Sequence, residues 1–353
     1  MHASSPNPDA VRFFDAASQA FLRAGARAGV RDHEFVIAGH RVRLRFAGDA
    51  LEPLLLPALE HLRVERGAGG GSAEPALSVS FFESESTGEA MAAPTWGPLD
   101  YGVKGEIVGY NDDRIRTVFQ PGVDILNVYD AARSEAVYWV AAPAVVPWWE
   151  SSFPLRTILH WWAAPTSLQP VHAGAVGQGG RGVLVVGNSG AGKSTTTLAC
   201  LEAGLDYAGD DYVLVDVEAS HVHSLYGTAK LEPHNLQRFP SLAPFVANAG
   251  RLDDEKAMVF LHDHRPDRLV TGFALQVIVM PNVTGLRDSA LEPAAPGEAL
   301  RVLAPTTSFH LPGYGRDVFM KLTTLVRSLP CYRLHAGTDL EQVAASIGRL
   351  VES

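Results

Sequence analysis

Gly187-Asn188-Ser189-Gly190-Ala191-Gly192-Lys193-Ser194 places glycines, a lysine and a hydroxyl at the spacing GxxxxGK[ST]. Those residue types suit one task, the holding of linked phosphates. Glycine lets backbone N–H groups curl round phosphate oxygens in conformations a side chain would forbid. A helix that begins at Lys193 adds free N–H groups and the positive end of its dipole. Lys193 supplies a full charge for the β and γ phosphates, and the Ser194 hydroxyl can ligate Mg²⁺. Thr195, next in that first turn, joins these eight as a binding residue. ATP and Mg²⁺ are the expected ligands.

Phosphoryl transfer also needs a carboxylate near the terminal phosphate. Asp216 closes the apolar run Val213-Leu214-Val215, and Asp210-Asp211 comes earlier. Chain length favours the pair. A helix over residues 193–203 runs about 16 Å away from the loop at 1.5 Å per residue, and Gly204 ends it. Residues 205–209, extended at about 3.3 Å each, climb the same distance back. Asp210 and Asp211 then arrive at phosphate level, and Asp216 lands beyond it. Two adjacent carboxylates beside a triphosphate suit one metal ligand and one general base. Ser194 and Asp211 are the expected metal ligands, although the two aspartates can exchange roles. His172 lies on the apolar run Val171 to Gly177, where a lone histidine reads as a hydrogen-bonded core residue or a functional one. Lys230 by itself reads as a surface lysine. His221, His223 and His262-Asp263-His264 show no ligand spacing that joins them into a zinc site.

The elements that must position these groups follow from pattern. Residues 171–177 and 182–187 flank a Gly-rich turn and read as a hairpin feeding a buried strand into the loop. Upstream, residues 11–27 predict an amphipathic helix, 35–46 a β-hairpin and 54–62 a helix. Residues 76–82, 105–110, 114–119 and 125–129 predict strands, and Gly67 to Gly71 a flexible segment. The run 136–149 reads as a strand and a Pro-rich turn, and 154–162 as the helix that opens the second half. Thr338-Asp339-Leu340-Glu341 reads as a capping box before a last helix striped by Leu340, Val343, Ile347 and Leu350. Two domains result: a smaller α+β domain over 1–150 and an α/β phosphate-loop domain over 151–353. Arg41, Arg43 and Arg45 share one strand face, a solvated face or a docking edge for an acceptor.

His172-Ala173-Gly174-Ala175-Val176, the loop 187–194 and Gly209-Asp210-Asp211, in that order, resemble the catalytic core of the HPr kinase/phosphorylase family. Its related serine kinases, which include lasso-peptide tailoring kinases, are similar also at Tyr226 to Leu231, Lys256 and Leu329 to Leu334. The resemblance covers about residues 150 to 350. It implies an α/β P-loop kinase core of the HPr kinase/PEP carboxykinase type, phosphorylating a serine hydroxyl of a peptide or protein, as in peptide natural-product biosynthesis. It implies further that His172 sits beside the Asp pair and that Lys230 holds phosphate or substrate. Two departures point away from HPr itself and from the reverse phosphorylase reaction. The glutamate–arginine–glycine signature after the Asp pair is absent, and the N-terminal domain is unlike that of HPr kinases. A small-molecule hydroxyl kinase and a switch-like NTP-binding module are the alternatives.

Composition bounds the rest. The chain has 353 residues, 46% hydrophobic and 19% charged, with 39 acidic against 29 basic residues and a formal charge of −10. That balance argues against nucleic acid as a partner. An anionic ligand must be held by a local positive site. Two separated cysteines, no leader pattern and no apolar run of about 20 residues predict a cytoplasmic chain without a membrane partner, compatible with a homo-oligomer.

Overall fold

The computed structural model describes residues 7–65 and 74–352, which form two compact units. The Gly67 to Gly71 segment lies outside the described residues. One unit comprises residues up to Pro57 and Leu62–Pro165, the other Ala58–His61 and Thr166–Ser353. The boundary expected near residue 150 therefore falls at Pro165. The helix expected to open the second half packs in the first unit, because its buried Ile158, Leu159 and Trp161 are not exposed to start a new core.

The first unit begins with α1 (Pro8–Ala28), whose buried Phe13, Phe14, Ala17, Phe21 and Ala24 recur at helical spacing. Asn7 caps it by accepting from the Asp9 N–H. β1 (Val30–Ile37), β2 (His40–Ala47), β3 (Arg63–Val64), β4 (Leu77–Glu83), β5 (Ile115–Gln120), β6 (Ile125–Asp130) and β7 (Glu135–Val140) make one sheet ordered β3-β1-β2-β4-β7-β6-β5. The expected helix over 54–62 is instead α2 (Glu52–Leu55) and a 3₁₀ turn (Pro57–Leu62), since Pro57 cannot continue the α-helix. Residues 105–110 make only isolated bridges, because Gly105 and Gly109 adopt φ of 77° and 80°. α3 (Ser84–Thr87), α4 (Trp148–Ser152) and α5 (Arg156–Ala163) complete this unit. Arg43 and Arg45 pair across the hairpin with Glu34 and Asp32 at 2.8 and 3.2 Å, and Arg41 lies 3.8 Å from Glu34. The three arginines are thus partnered within their own sheet.

The second unit is a mixed sheet between two helical layers. β8 (Leu168–Val171), β9 (Gly174–Gln178), β10 (Arg181–Val185), β11 (Asp206–Gly209), β12 (Val213–Asp216), β13 (His221–His223) and β16 (Gly272–Val283) run in the order β11-β9-β10-β16-β13-β12-β8. β18 (Cys331–Ala336) pairs with both β16 and β17 (Ala290–Ala294), and β14 (Thr228–Leu231) with β15 (Ala257–Phe260). Strand alternation divides the core. Val183 and Val185 of β10 face α6 (Lys193–Glu202) and α9 (Leu340–Glu352). Leu184 and Val186 face α7 (Pro296–His310) and α8 (Gly315–Ser328). Val343 and Ile347 are buried in the α9 stripe, with Leu340 and Leu350 packed at its margin. The cap of α9 sits one residue later than expected: Asp339 accepts from the Gln342 N–H, and the Gln342 side chain reaches back to Asp339. Among the described residues no helix is long and apolar enough to cross a membrane.

Candidate active site

The site begins where a two-stranded ribbon loses its pairing. β8 pairs antiparallel with β12, and β9 with β11. The chain 168–178 therefore runs beside 206–216, and both strands change partners at the same level. His172-Ala173 and Asp210-Asp211-Tyr212 are the two breaks. The expected strand 171–177 is for this reason two strands, and His172 stands between them. Its N–H donates to the Thr307 hydroxyl of α7 at 3.2 Å instead of to a ladder partner.

Gly174 is required here, because a Cβ on it would lie 2.4 Å from the Thr197 methyl and 3.5 Å from Asp210 Oδ1. β10 delivers the chain to the loop Gly187–Ser194. Gly190 and Gly192 adopt φ of 79° and 100°, the left-handed region that glycine enters at least cost. Helix α6 then starts at Lys193 with no side-chain cap, so its first N–H groups are open to a ligand. Lys193 Nζ donates to the Gly187 and Asn188 carbonyls at 2.8 and 3.3 Å. Burial lowers its pKa from the ordinary value, and Asp210 and Asp211 oppose that effect.

The two aspartates occupy unlike environments. Asp210 is 2% exposed, and neither oxygen makes a hydrogen bond of normal geometry. Burial and the Asp211 charge raise its pKa, with the Ser194 hydroxyl and the Lys193 charge acting the other way. Asp211 holds φ at 77° and exposes 21% of its side chain. Its Oδ1 accepts from His172 Nε2 at 2.9 Å, and its Oδ2 from Lys230 Nζ. Burial would raise its pKa, but Lys230 and His172 hold it well below the usual carboxylate range. Lys230 comes from β14, which the Tyr207 hydroxyl of β11 ties in by donating to the Thr228 carbonyl at 2.8 Å. Burial lowers the Lys230 pKa, against the Asp211 charge.

Lys193, Asp211 and Lys230 line one cleft of about 360 Å³, and the buried Asp210 is not among its lining residues. His172, Asn188, Ser189, Gly190, Gly192, Lys193, Ser194, Thr195, Asp211 and Lys230 face it, so the structure brings together nearly every residue singled out in the sequence. Gly187 and Ala191 shape the loop from behind, a Cβ on Gly187 lying 2.9 Å from that of Ala191. Asp216 is elsewhere, accepting from the Glu218 and Ala219 N–H groups in the turn after β12. His221 and His223 lie 4.6 Å apart by ring centroid. Among the described residues no group of three or more His, Cys, Asp or Glu converges as a metal site. Sequence reading missed four further lining residues: Glu232, His234, Asn235 and Arg238. Lys256, bridged to Glu232 at 2.8 Å, also lines the cleft. The available signal was the pairing of the short apolar runs 228–231 and 257–260, which sets Lys256 opposite Glu232. In an acidic chain, this cleft gathers Lys193, Lys230, Arg238 and Lys256 against Asp211 and Glu232. Such a pocket can take an anion at the helix N-terminus and hold a carboxylate beside it.

No protein-family model matches the sequence, and no curated protein matches it. Among solved structures, the chain is similar to the HPr(Ser) kinase/phosphatase from Coxiella burnetii at 11% identity, over 52% of this chain and 94% of that one, with a TM-score of 0.27. A superposition that loose carries no chemistry from one protein to the other.

Proposed function

We propose that this chain is a kinase that moves the γ-phosphate of ATP to a hydroxyl, a serine of a peptide or protein being the favoured acceptor. The observation that carries the reading is the pairing of an open helix N-terminus and its lysine with two adjacent carboxylates in unlike environments. Mg²⁺ fits the site, because Asp210 carries two buried oxygens without good partners close to the Ser194 hydroxyl. Ser194 and Asp210 are the better-supported ligands. This moves the role from the expected Asp211, both of whose oxygens are taken by His172 and Lys230. When bound there, the metal supplies charge neutralisation for the phosphates.

The remaining work falls to side chains. Lys193 exchanges its two carbonyl partners for phosphate oxygens, which suit its charge better. Lys230, which lines the cleft beside Asp211, turns from the carboxylate to the incoming phosphate. Asp211 thereby loses its main charge partner and becomes a stronger base. It accepts the proton of the acceptor hydroxyl, whose oxygen bonds to the γ-phosphorus as the bond to the β-bridging oxygen breaks and ADP leaves. His172 keeps the carboxylate aimed.

The deciding experiment is calorimetric titration with ATP, followed by mass spectrometry of a serine-containing peptide mixture after incubation with Mg-ATP. Wild type should bind ATP and phosphorylate a peptide, and Lys193→Ala should lose most of the affinity. Unchanged ATP affinity in a folded Lys193→Ala variant overturns the reading. ADP formed with no peptide phosphorylated favours the switch-like module instead.

A further inference from the structure

The break in the ribbon has a second occupant. Val171 of β8 stands opposite Val213 of β12, and in that register the next pair is His172 opposite Tyr212. Backbone pairing lapses there, yet the two side chains meet. The rings stack with centroids 5.2 Å apart and planes inclined by 15°. Tyr212 is buried, at 2% exposure. Its N–H donates to the Asp210 carbonyl at 3.1 Å, closing a three-residue turn with Asp211 at its apex. A non-glycine residue at a φ of 77° is strained, and strain of this kind persists only where the surroundings enforce it. One buried side chain thus anchors the turn that projects Asp211 and also covers a face of the imidazole that Asp211 receives.

A histidine side chain turns about χ2 in a broad, shallow well. An aromatic face lying flat against the ring narrows that well, because a quarter-turn would drive the imidazole edge into the tyrosine. We infer that Tyr212 is a positioning residue: its ring fixes the plane of His172 so that Nε2 stays directed at Asp211 Oδ1. The inference rests on the kinase reading only for its effect on rate. The geometry it asserts stands without that reading. Its essential feature is the ring face, and the hydroxyl is not required.

The test uses the full chain with ¹³C,¹⁵N-labelled histidine. The wild-type His172 ring should give one set of resonances, with Nε2 shifted by the Asp211 hydrogen bond. Tyr212→Phe should preserve that set, and Tyr212→Met, close in volume but without a flat face, should broaden or split it. In ADP formation from Mg-ATP, Tyr212→Met should lose about tenfold or more in kcat with KM for ATP unchanged, and Tyr212→Phe should restore the rate. A Tyr212→Met protein with unaltered His172 signals and kcat overturns the inference. So does a Tyr212→Phe protein as impaired as Tyr212→Met, which would move the role to the hydroxyl. Should Tyr212→Met fail to fold, the wild-type spectrum alone still decides, since averaged His172 signals without a fixed hydrogen bond overturn the clamp. If Lys193→Ala retains ATP binding, the kinase reading falls, while the imidazole signals continue to report on Tyr212.

Discussion

At the scale of single residues, the site assigns different losses to two neighbouring aspartates. Asp210→Asn should raise the Mg²⁺ concentration needed for half-maximal turnover, because a buried carboxylate near Ser194 becomes a neutral amide. Asp211→Asn should cut kcat by about 10² to 10⁴, the worth of a general base, at little cost in ATP affinity. Titrating Mg²⁺ at fixed ATP for each variant checks the split, and identical profiles would show that the carboxylates share one role. How much of this was legible in the chain differs by residue. The loop and the Asp pair could be read directly, since glycine, lysine and hydroxyl at fixed spacing have few other uses. The contrast between Asp210 and Asp211 could not. It arises from Lys230, nineteen residues downstream, and from His172, neither of which spacing alone joins to the pair. Glu232 and Arg238 carried no local signal, because a short 3₁₀ turn presents them.

At the scale of elements, the close approach of α6 to β9 governs the site. Gly174→Ala should destabilise the protein by about 1–3 kcal/mol, since its methyl would press on Thr197 Cγ2. Thr197→Ser removes that methyl and keeps the hydroxyl that donates to the Lys193 and Ser194 carbonyls. The double variant should recover much of the loss in thermal melting, and strict additivity of the two changes would refute this contact as the cause. Asp210 and Asp211 return within reach of the Lys193 charge because Gly204 ends α6 sharply, at a φ of 92°, although β11 carries a register shift against β9 between Tyr207 and Gly209. Pattern failed where glycine and proline broke it, at residues 105–110 and at Pro57. It failed also at 171–177, where one apolar run serves two strands. Hydrophobicity records burial and not the change of partner at His172.

At the scale of the whole molecule, the two units should answer pH in opposite senses. In the second, burial lowers the His61 pKa from 6.5 to about 4, with the His262 charge adding to the effect. Between those values the unfolded chain takes a proton that the folded one refuses. Stability is therefore full above pH 6.5 and falls as pH drops toward 4. In the first unit, burial raises the Glu150 pKa from 4.5 to about 7, against the Arg156 charge. There the folded form keeps a proton that the unfolded form releases, so stability is full below pH 4.5 and falls as pH rises toward 7. Scanning calorimetry from pH 4 to 7.5 should show two transitions moving in contrary directions, and His61→Gln and Glu150→Gln should each flatten one of them. Parallel movement would refute the assignment. The stretch Ala58–His61 has one more consequence. It belongs to the second unit, where Ala58 O accepts from the Gly227 N–H at 2.8 Å and His61 Nε2 lies 2.6 Å from the Ser224 hydroxyl. A growing chain makes this stretch first and must keep it waiting for partners more than 160 residues away, 163 in the case of His61 and Ser224. The second unit is thus discontinuous along the chain although compact in space. A fragment starting at residue 151 lacks one of its own pieces, and a separate peptide spanning residues 52–64 should bind that fragment and raise its melting temperature.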